Sequence, residues 1–365
     1  MPGNTIGQAL TLTSWGESHG TAIGGVLDGV PPGISLNLES LQRSLDRRKP
    51  GGSHGLTSPR QELDEIRILS GFYEGQTLGT PLSFLIFNQD QRSSDYDFYK
   101  HIYRPGHADY SYSMKYGHVD HRGGGRASAR ETAIRVAAGE IARQILVKTF
   151  PNVKTTASVI QLGAQKLSCP WDGEPYEENP LFCSEDILLD LWRSYLENIK
   201  NQGRSVGAII EVHTKGIPAG FGEPVYDKLD ADLAKALMSI NAVKGVEIGD
   251  GFACVTAENG FDEMSSDCPS KHMTNKAGGI VGGISTGQDI VCRVALKPTS
   301  STAAPRQTLT KSGNAIEVSI TGRHDPCVGI RAVPIVEAMV NLVIADHFLR
   351  WRGQCGTASE RSELE

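Results

Sequence analysis

Between Arg122 and Thr132 the chain reads RGGGRASARET: three glycines between arginines, then a serine with a glutamate three places on. Glycine lets backbone approach a ligand closely or take a left-handed turn. Ser128 and Glu131 have the spacing of a capping box, in which the serine takes an amide of the first helical turn and the glutamate returns to the serine amide. Ile134, Ala138, Ile141 and Ile145 then fall on one helical face. A helix start offers free N–H groups and partial positive charge, to which Arg122, Arg126 and Arg130 add full charges. The pattern predicts an anion site suited to phosphate; the plainer reading is a glycine turn before a capped helix. It is not a P-loop, because the closing Gly-Lys-Ser/Thr is missing. No clear strand precedes it, which argues against a dinucleotide fingerprint.

Other turns carry chemistry of the same kind. DRRKPGG, from Asp46 to Gly52, puts Arg47, Arg48 and Lys49 at a helix end, where cations also complement the C-terminal dipole. His19 lies between glycines in WGESHG, and His107 sits in the turn RPGHADY. Asp325 follows Arg323 and His324 in GRHDP. Histidine is the natural proton donor near neutral pH, although a lone histidine is more often structural. No Ser-His-Asp pattern stands out. His118 and His121 have the separation of a zinc pair but no cysteine or second pair beside them, so no metal is expected.

Positioning these turns requires strands and helices. Apolar runs or alternation predict strands near Ile6–Thr13, Leu82–Phe87, Val159–Leu162, Val206–Val212, Ile290–Leu296 and Ile316–Ile320. Helical spacing predicts helices over Leu38–Arg48, after Ser184 (with Ile187, Leu188, Leu191, Trp192, Tyr195 and Ile199 on one stripe) and from Asp230. A last helix is predicted from Pro334, stopping before Gly353. Cys169–Pro180, with three prolines, reads as a loose loop or insertion. The irregular alternation favours an α+β fold over a doubly wound one. The length is within reach of one large domain, and 354–365 is expected to be a frayed tail; the single catalytic domain over 1–353 is what the resemblance described below implies.

Composition sets the outer limits. The chain has 365 residues, 39% of them apolar, enough for a sizeable core. The net charge of -6 argues against general nucleic-acid binding, so a positive site must be local. MPGNTIGQAL does not read as a signal peptide, and Glu337, Asn341 and Asp346 interrupt the most apolar stretch, so no membrane span is expected. Seven scattered cysteines without a C-x-x-C pair read as reduced thiols, consistent with a cytoplasmic protein. The 41 glycines cluster in doublets such as Gly24-Gly25 and Gly282-Gly283, more than isolated turns require.

Together these stretches resemble the chorismate synthase family along almost the whole chain. GESHGTAIGGVLDGVPPG, RGGGRASARETAIRVAAGE and GRHDPCVGIRAVPIVEAM are similar to that family's three diagnostic segments. DRRKPG, RPGHADYSY, LDADLAKALMSINAVKGVEIGDGF, NKAGGIVGGISTGQ and ALKPTSS match in the same order. The resemblance implies a single α+β domain of antiparallel β-sheets packed between helices, in a homotetramer. It implies a lyase that eliminates phosphate from 5-enolpyruvylshikimate 3-phosphate to give chorismate, with reduced FMN as cofactor and NADPH as reductant in members that reduce their own flavin. Carried over by position, flavin contacts fall on Arg126, Ala127, Ser128, Asn241, Ala242, Gly282, Lys297, Pro298, Thr299, Ser300, Ser301 and Arg323. His19 would serve the leaving phosphate, His107 the charge of the reduced flavin, and Asp325 proton transfer near flavin N5. Arg48 would contact substrate or NADPH. The family often has arginine where this chain has His54; histidine cannot make a bidentate fork, and Arg60 is the alternative contact. Two other readings remain open: a different flavin or phosphosugar enzyme on this scaffold, and a non-catalytic anion-binding protein, which would bind no flavin.

Overall fold

The computed structural model describes residues 3–50, 62–90, 96–176, 178–258, 262, 264–265, 268–272, 274–320 and 325–356. Two five-stranded antiparallel sheets carry the architecture. The first has the order β1 (Thr5–Ile6), β2 (Thr11–Trp15), β3 (Ala22–Asp28), β7 (Leu82–Phe87) and β4 (Arg67–Ile68). The second has the order β12 (Val243–Ile248), β17 (Ile290–Leu296), β10 (Ala208–Lys215), β8 (Lys154–Leu162) and β9 (Gln165–Lys166). A three-stranded sheet joins β11 (Ala219–Gly222), β16 (Ile284–Thr286) and β15 (Ile280–Val281). Three hairpins complete the strands: β5 (Phe72–Tyr73) with β6 (Gln76–Thr77), β13 (Met264–Ser265) with β14 (Cys268–His272), and β18 (Arg306–Leu309) with β19 (Ala315–Val318).

Helix α3 (Thr132–Thr149) contacts the first sheet and α6 (Gly329–Cys355) the second, and the two helices pack on each other. Around them lie α1 (Leu38–Arg48), α2 (Asp109–Tyr116), α4 (Leu189–Asn201) and α5 (Leu229–Met238). The fold is α+β with antiparallel sheets, as expected. One continuous apolar core runs from Leu12 and Phe84 through Ile141 and Ile344 to Val212. Helix α6 is long and apolar enough to cross a bilayer, but its apolar window is wholly buried inside the protein.

Local chemistry explains the elements. Asn37 caps α1, its side chain accepting from the Ser40 amide at 2.9 Å. Leu41, Leu45 and Arg48 then occupy one buried stripe, so the last member of an apolar face is a cation. In β17, Ile290, Cys292, Val294 and Leu296 alternate inward.

Several sequence expectations change. Ile6–Thr13 is two strands, because Gly7 turns with φ 91° and Asp346 Oδ1 accepts the amides of Gln8, Ala9 and Leu10 at 2.9, 2.7 and 2.8 Å. The last helix begins at Gly329, with Pro334 inside it, and passes Gly353 to end at Cys355, where Gly356 takes the chain out of the helix at φ 77°. Gly353 faces open space and the turn around it extends a helix already anchored by buried Trp351. On α4, Trp192, Leu196 and Ile199 are buried and Leu191 is half exposed, whereas Ile187, in the 3-10 turn before the helix, is 86% exposed. The described residues of 169–180 form no helix or strand, as expected of a loop, but the loop is anchored: the Trp171 ring sits 5.0 Å from His213, and the Tyr176 hydroxyl donates to the Ala157 carbonyl at 2.8 Å. Cys169, Cys183, Cys254, Cys292, Cys327 and Cys355 are free thiols.

Candidate active site

The glycine loop that follows α2 opens on a cleft of about 420 Å³. That volume suits a cofactor or a small substrate. Four segments far apart in sequence form its wall. The turn before α2 brings Arg104, His107 and Asp109; the loop brings Gly123, Gly124, Ala127 and Ser128; the turn before β12 brings Asn241 and Ala242; the run after β17 brings Lys297, Pro298, Thr299, Ser300 and Ser301. Nine of the twelve residues expected at a flavin therefore line one cavity, with His107 beside them.

Each wall is held by specific bonds. Arg104 donates from its Nε and Nη2 to Asp109, both at 2.7 Å. Burial alone would raise the Asp109 carboxyl, but these bonds and the Arg104 charge lower it. His107 shares hydrogen bonds with the Pro105 carbonyl at 3.1 Å and the Ser301 hydroxyl at 2.9 Å. Burial first, then the Arg104 charge, pushes its imidazole down to about 4. The ring is therefore neutral near pH 7. Lys297 donates to Ser300 Oγ at 2.6 Å, and its ammonium is shifted down by burial and by Lys244 and Arg306. Ala242 is held left-handed, φ 70°, with its carbonyl accepting from the Lys297 amide at 2.9 Å. Such strain in a non-glycine residue is characteristic of ligand sites. The Asn241 Oδ1 and Thr299 Oγ1 atoms, on two residues that line the cleft, are buried with no protein partner.

His19 stands directly behind the glycine loop. It is 4% exposed, bonds through Nδ1 with Ser18 Oγ at 3.0 Å, and meets the Tyr96 ring edge-on at 4.8 Å. Gly123 makes the approach possible: a Cβ there would lie 2.0 Å from His19 Nδ1. The Arg104 guanidinium lies over Tyr96 and Tyr99 at 5.9 and 5.5 Å, linking this histidine's surroundings to the cleft.

Arg48 and Asp325 belong to a second layer, Arg48 buried and Asp325 half-buried. Arg48 is 2% exposed and donates Nη2 to Asp64 Oδ2 at 2.5 Å. Asp325 accepts Arg331 Nη1 at 2.9 Å, and Arg331 Nε donates to the Arg48 carbonyl at 3.0 Å. Arg331 thus ties the candidate acid to the end of α1. Asp64 and Arg331 escaped the motif reading. Arg331 lies inside the quoted GRHDPCVGIRAVPIVEAM stretch, but its pairing spans 283 residues to Arg48; nothing near Asp64 marks it.

Around the glycine loop the polar residues take separate partners. Its arginines diverge: Arg122 pairs with Asp120 at 2.7 Å, Arg126 with Asn4, Ser14 and the Gly16 carbonyl, and Arg130 with Asp64 and Glu62. Arg126 lines an adjoining hollow that shares Ala127 and Asn241 with the cleft. Ser128 Oγ accepts the Arg130 amide at 3.3 Å, not that of Glu131, whose carboxylate takes Arg135 at 2.8 Å. A tight 3-10 turn over Ala129–Glu131 precedes α3 and shortens the capping interval. Gly282, left-handed at φ 63° between β15 and β16, does not line the cleft. Arg323, His54 and Arg60 lie outside the described residues.

Comparison with known proteins gives one family. The sequence profile described as chorismate synthase matches residues 10–349. The chorismate synthase of Rhodospirillum rubrum is 54% identical over 362 residues, covering 98% of this chain and 99% of its own. That of Rhodospirillum centenum is 53% identical over 361 residues, covering 98% and 95%. That of Gluconacetobacter diazotrophicus is 53% identical over 360 residues, covering 98% and 100%. A crystal structure of chorismate synthase superposes with a TM-score of 0.75 at 27% identity, covering 98% of this chain and 96% of that one.

Proposed function

The chain belongs to the chorismate synthase family of lyases, and we propose that it converts 5-enolpyruvylshikimate 3-phosphate to chorismate by 1,4-elimination of phosphate. The observation that carries this reading is the convergence on one cleft of segments distant in sequence, with Arg104, Lys297 and His107 in its lining and His19 behind it. Reduced FMN fits that cleft. The orphaned Asn241 Oδ1 and Thr299 Oγ1 offer hydrogen bonds, the strained Ala242 lets backbone approach a flat ring, and Lys297 and Arg104 offset negative charge. Ala127, Ser128, Asn241, Ala242 and Lys297–Ser301 would hold it, with Arg126 supporting from the adjoining hollow and Gly282 and Arg323 carried over by position alone. When bound, the reduced flavin supplies an electron transiently, in a reaction with no net redox change.

The chain's own residues do the rest. Arg48 and Arg130 neutralise the substrate's anionic groups, as guanidinium donors to carboxylate or phosphate. His19 donates a proton, or a hydrogen bond, to the departing phosphate; its buried setting and the Ser18 contact fix the ring. His107 meets the cofactor's negative charge, and an anion there raises its imidazole from the depressed free state. Asp325, fixed by Arg331, lies on the side of the buried layer and takes part in moving the ring proton. The protein acts in the cytoplasm as a homotetramer, and NADPH is its reductant where no separate flavin reductase supplies reduced FMN.

An anaerobic assay tests the reading. Substrate with chemically reduced FMN should release phosphate and chorismate in equal amounts, and substrate with oxidised FMN alone should release neither. NADPH plus oxidised FMN, in a parallel assay, decides whether the protein reduces its own flavin. Absence of phosphate release with reduced FMN overturns the assignment.

A further inference from the structure

Arg48 and Arg130 reach the same buried carboxylate from distant parts of the chain. Asp64 is 2% exposed; its Oδ2 accepts Arg48 Nη2 at 2.5 Å and its Oδ1 accepts Arg130 Nη1. The partners lie 16 and 66 residues away in sequence. The Asp64 backbone is left-handed, φ 50°, a conformation that a side-chain-bearing residue keeps only where its surroundings impose it. Gln42 of α1 donates to the Asp64 carbonyl at 3.3 Å, tying this segment to the helix that carries Arg48.

The bridge leaves part of Arg48 open. Its Nη1 reaches Thr132 Oγ1 only at 3.5 Å, and its Nε is buried with no protein partner. Arg48, Thr132, Asn241 and Arg331 line one small cavity of about 40 Å³, and Asn241 Oδ1 is likewise unpartnered. Buried polar atoms are rarely left so, and an open donor and acceptor on one cavity mark a place built for a guest atom. Charge in this layer is balanced: Arg48, Arg130 and Arg331 face Glu62, Asp64 and Asp325.

We propose that Asp64 is a positioning residue, which holds Arg48 and Arg130 as a fixed pair of cations facing the anionic substrate and acts only through them. This rests on the functional reading above. Two guanidiniums left to themselves would repel and splay, and a bridging carboxylate fixes both their separation and which N–H groups remain open. Burial alone would raise the Asp64 carboxyl, but the two guanidiniums outweigh it and keep it ionised.

Asp64→Asn gives the idea a sign. Were Asp64 a mere counter-charge, its neutralisation would leave the site more positive and the anionic substrate would bind more tightly. As a positioning residue its loss does the reverse: the amide turns a donor toward one guanidinium, and the pair loosens. Substrate binding should be measured at equilibrium on protein loaded with oxidised FMN, where no turnover is expected. kcat and KM with reduced FMN, flavin affinity and thermal unfolding complete the set. Expected for Asp64→Asn is substrate binding weaker by about ten- to hundredfold, the scale of one charge-assisted hydrogen bond, with flavin affinity unchanged. Arg48→Lys should weaken binding similarly, and the double variant should be little worse than either single one. Tighter or unchanged binding in Asp64→Asn, or additive losses in the double variant, overturns the proposal. Should Asp64→Asn fail to fold, Arg130→Lys breaks the same bridge from its other arm, and additivity with Arg48→Lys overturns the proposal equally. Wild-type protein that neither binds nor turns over the substrate overturns the functional reading and this inference with it.

Discussion

At the scale of single residues, the site depends on close approaches that a methyl group would end. Gly123→Ala places a Cβ 2.0 Å from His19 Nδ1 and 2.7 Å from Ser18 Oγ, so the histidine must move. Turnover should fall by about 10²–10⁴, the range for losing a general acid, while flavin affinity stays near wild type. Single-turnover phosphate release beside a flavin titration checks both. His107 makes a prediction of opposite character. Its folded pKa is depressed from 6.5 to about 4, so between those values the unfolded chain binds a proton that the native site refuses. Stability should therefore fall as pH drops from about 6.5 toward 4, by at most about 3 kcal/mol from this residue. His347, also shifted down by burial and Arg350, adds to the same slope. His107→Gln should flatten the dependence of thermal midpoint on pH over that window; an unchanged slope would show that the ring is not buried neutral. His107 was legible in the sequence because it sits in a short, distinctive turn, whereas the Lys297–Ser301 run was marked only by the family resemblance. Asp64 was not, because its meaning lies in contacts 16 and 66 residues away.

At the scale of elements, the regular patterns were the readable ones. Leu82–Phe87 and Ile290–Leu296 fold as strands over the residues their alternation marks, and Leu38–Arg48 as the helix its stripe marks. Strand β3 was hidden by Gly24-Gly25, which looks like a turn. In the fold that doublet is a packing device: a Cβ on Gly24 would lie 2.1 Å from the Trp15 ring, and one on Gly25 2.7 Å from Ile134 of α3. Single-sequence periodicity cannot reveal such vacancies, because the neighbour that needs the space is elsewhere in the chain. The α3–α6 contact follows the same logic and can be tested. A Cβ on Gly139 would meet the Ala338 Cα and Cβ at 2.4 Å, between two helices buried nearly all round. Gly139→Ala should gain slightly in helix propensity and lose far more by forcing the helices apart, a net loss of about 2–4 kcal/mol. Urea unfolding followed by far-ultraviolet circular dichroism measures it; a midpoint at or above wild type would mean that the pair has slack the packing does not suggest.

At the scale of the whole molecule, the open question is how Gly282 could serve a flavin that its own chain's cleft would hold. It turns between β15 and β16 with nothing within 4 Å of a Cβ added to it, and it does not line the cleft. Its neighbour Val281 is 56% exposed. An apolar residue at an exposed tip beside a glycine expected at the cofactor is what a turn that reaches into another copy would show, and it fits the proposed homotetramer. Val281→Asp separates the alternatives. In an isolated chain the change is nearly neutral, within about 0.5 kcal/mol, because the side chain is solvated on the surface. At a contact between copies it buries an unpaired carboxylate, which costs several times more. The expected result is a smaller assembly by analytical ultracentrifugation at micromolar concentration, with flavin affinity reduced in parallel and restored as protein concentration rises. Wild-type mass and wild-type flavin affinity in Val281→Asp would leave this turn in solvent and remove Gly282 from the cofactor site.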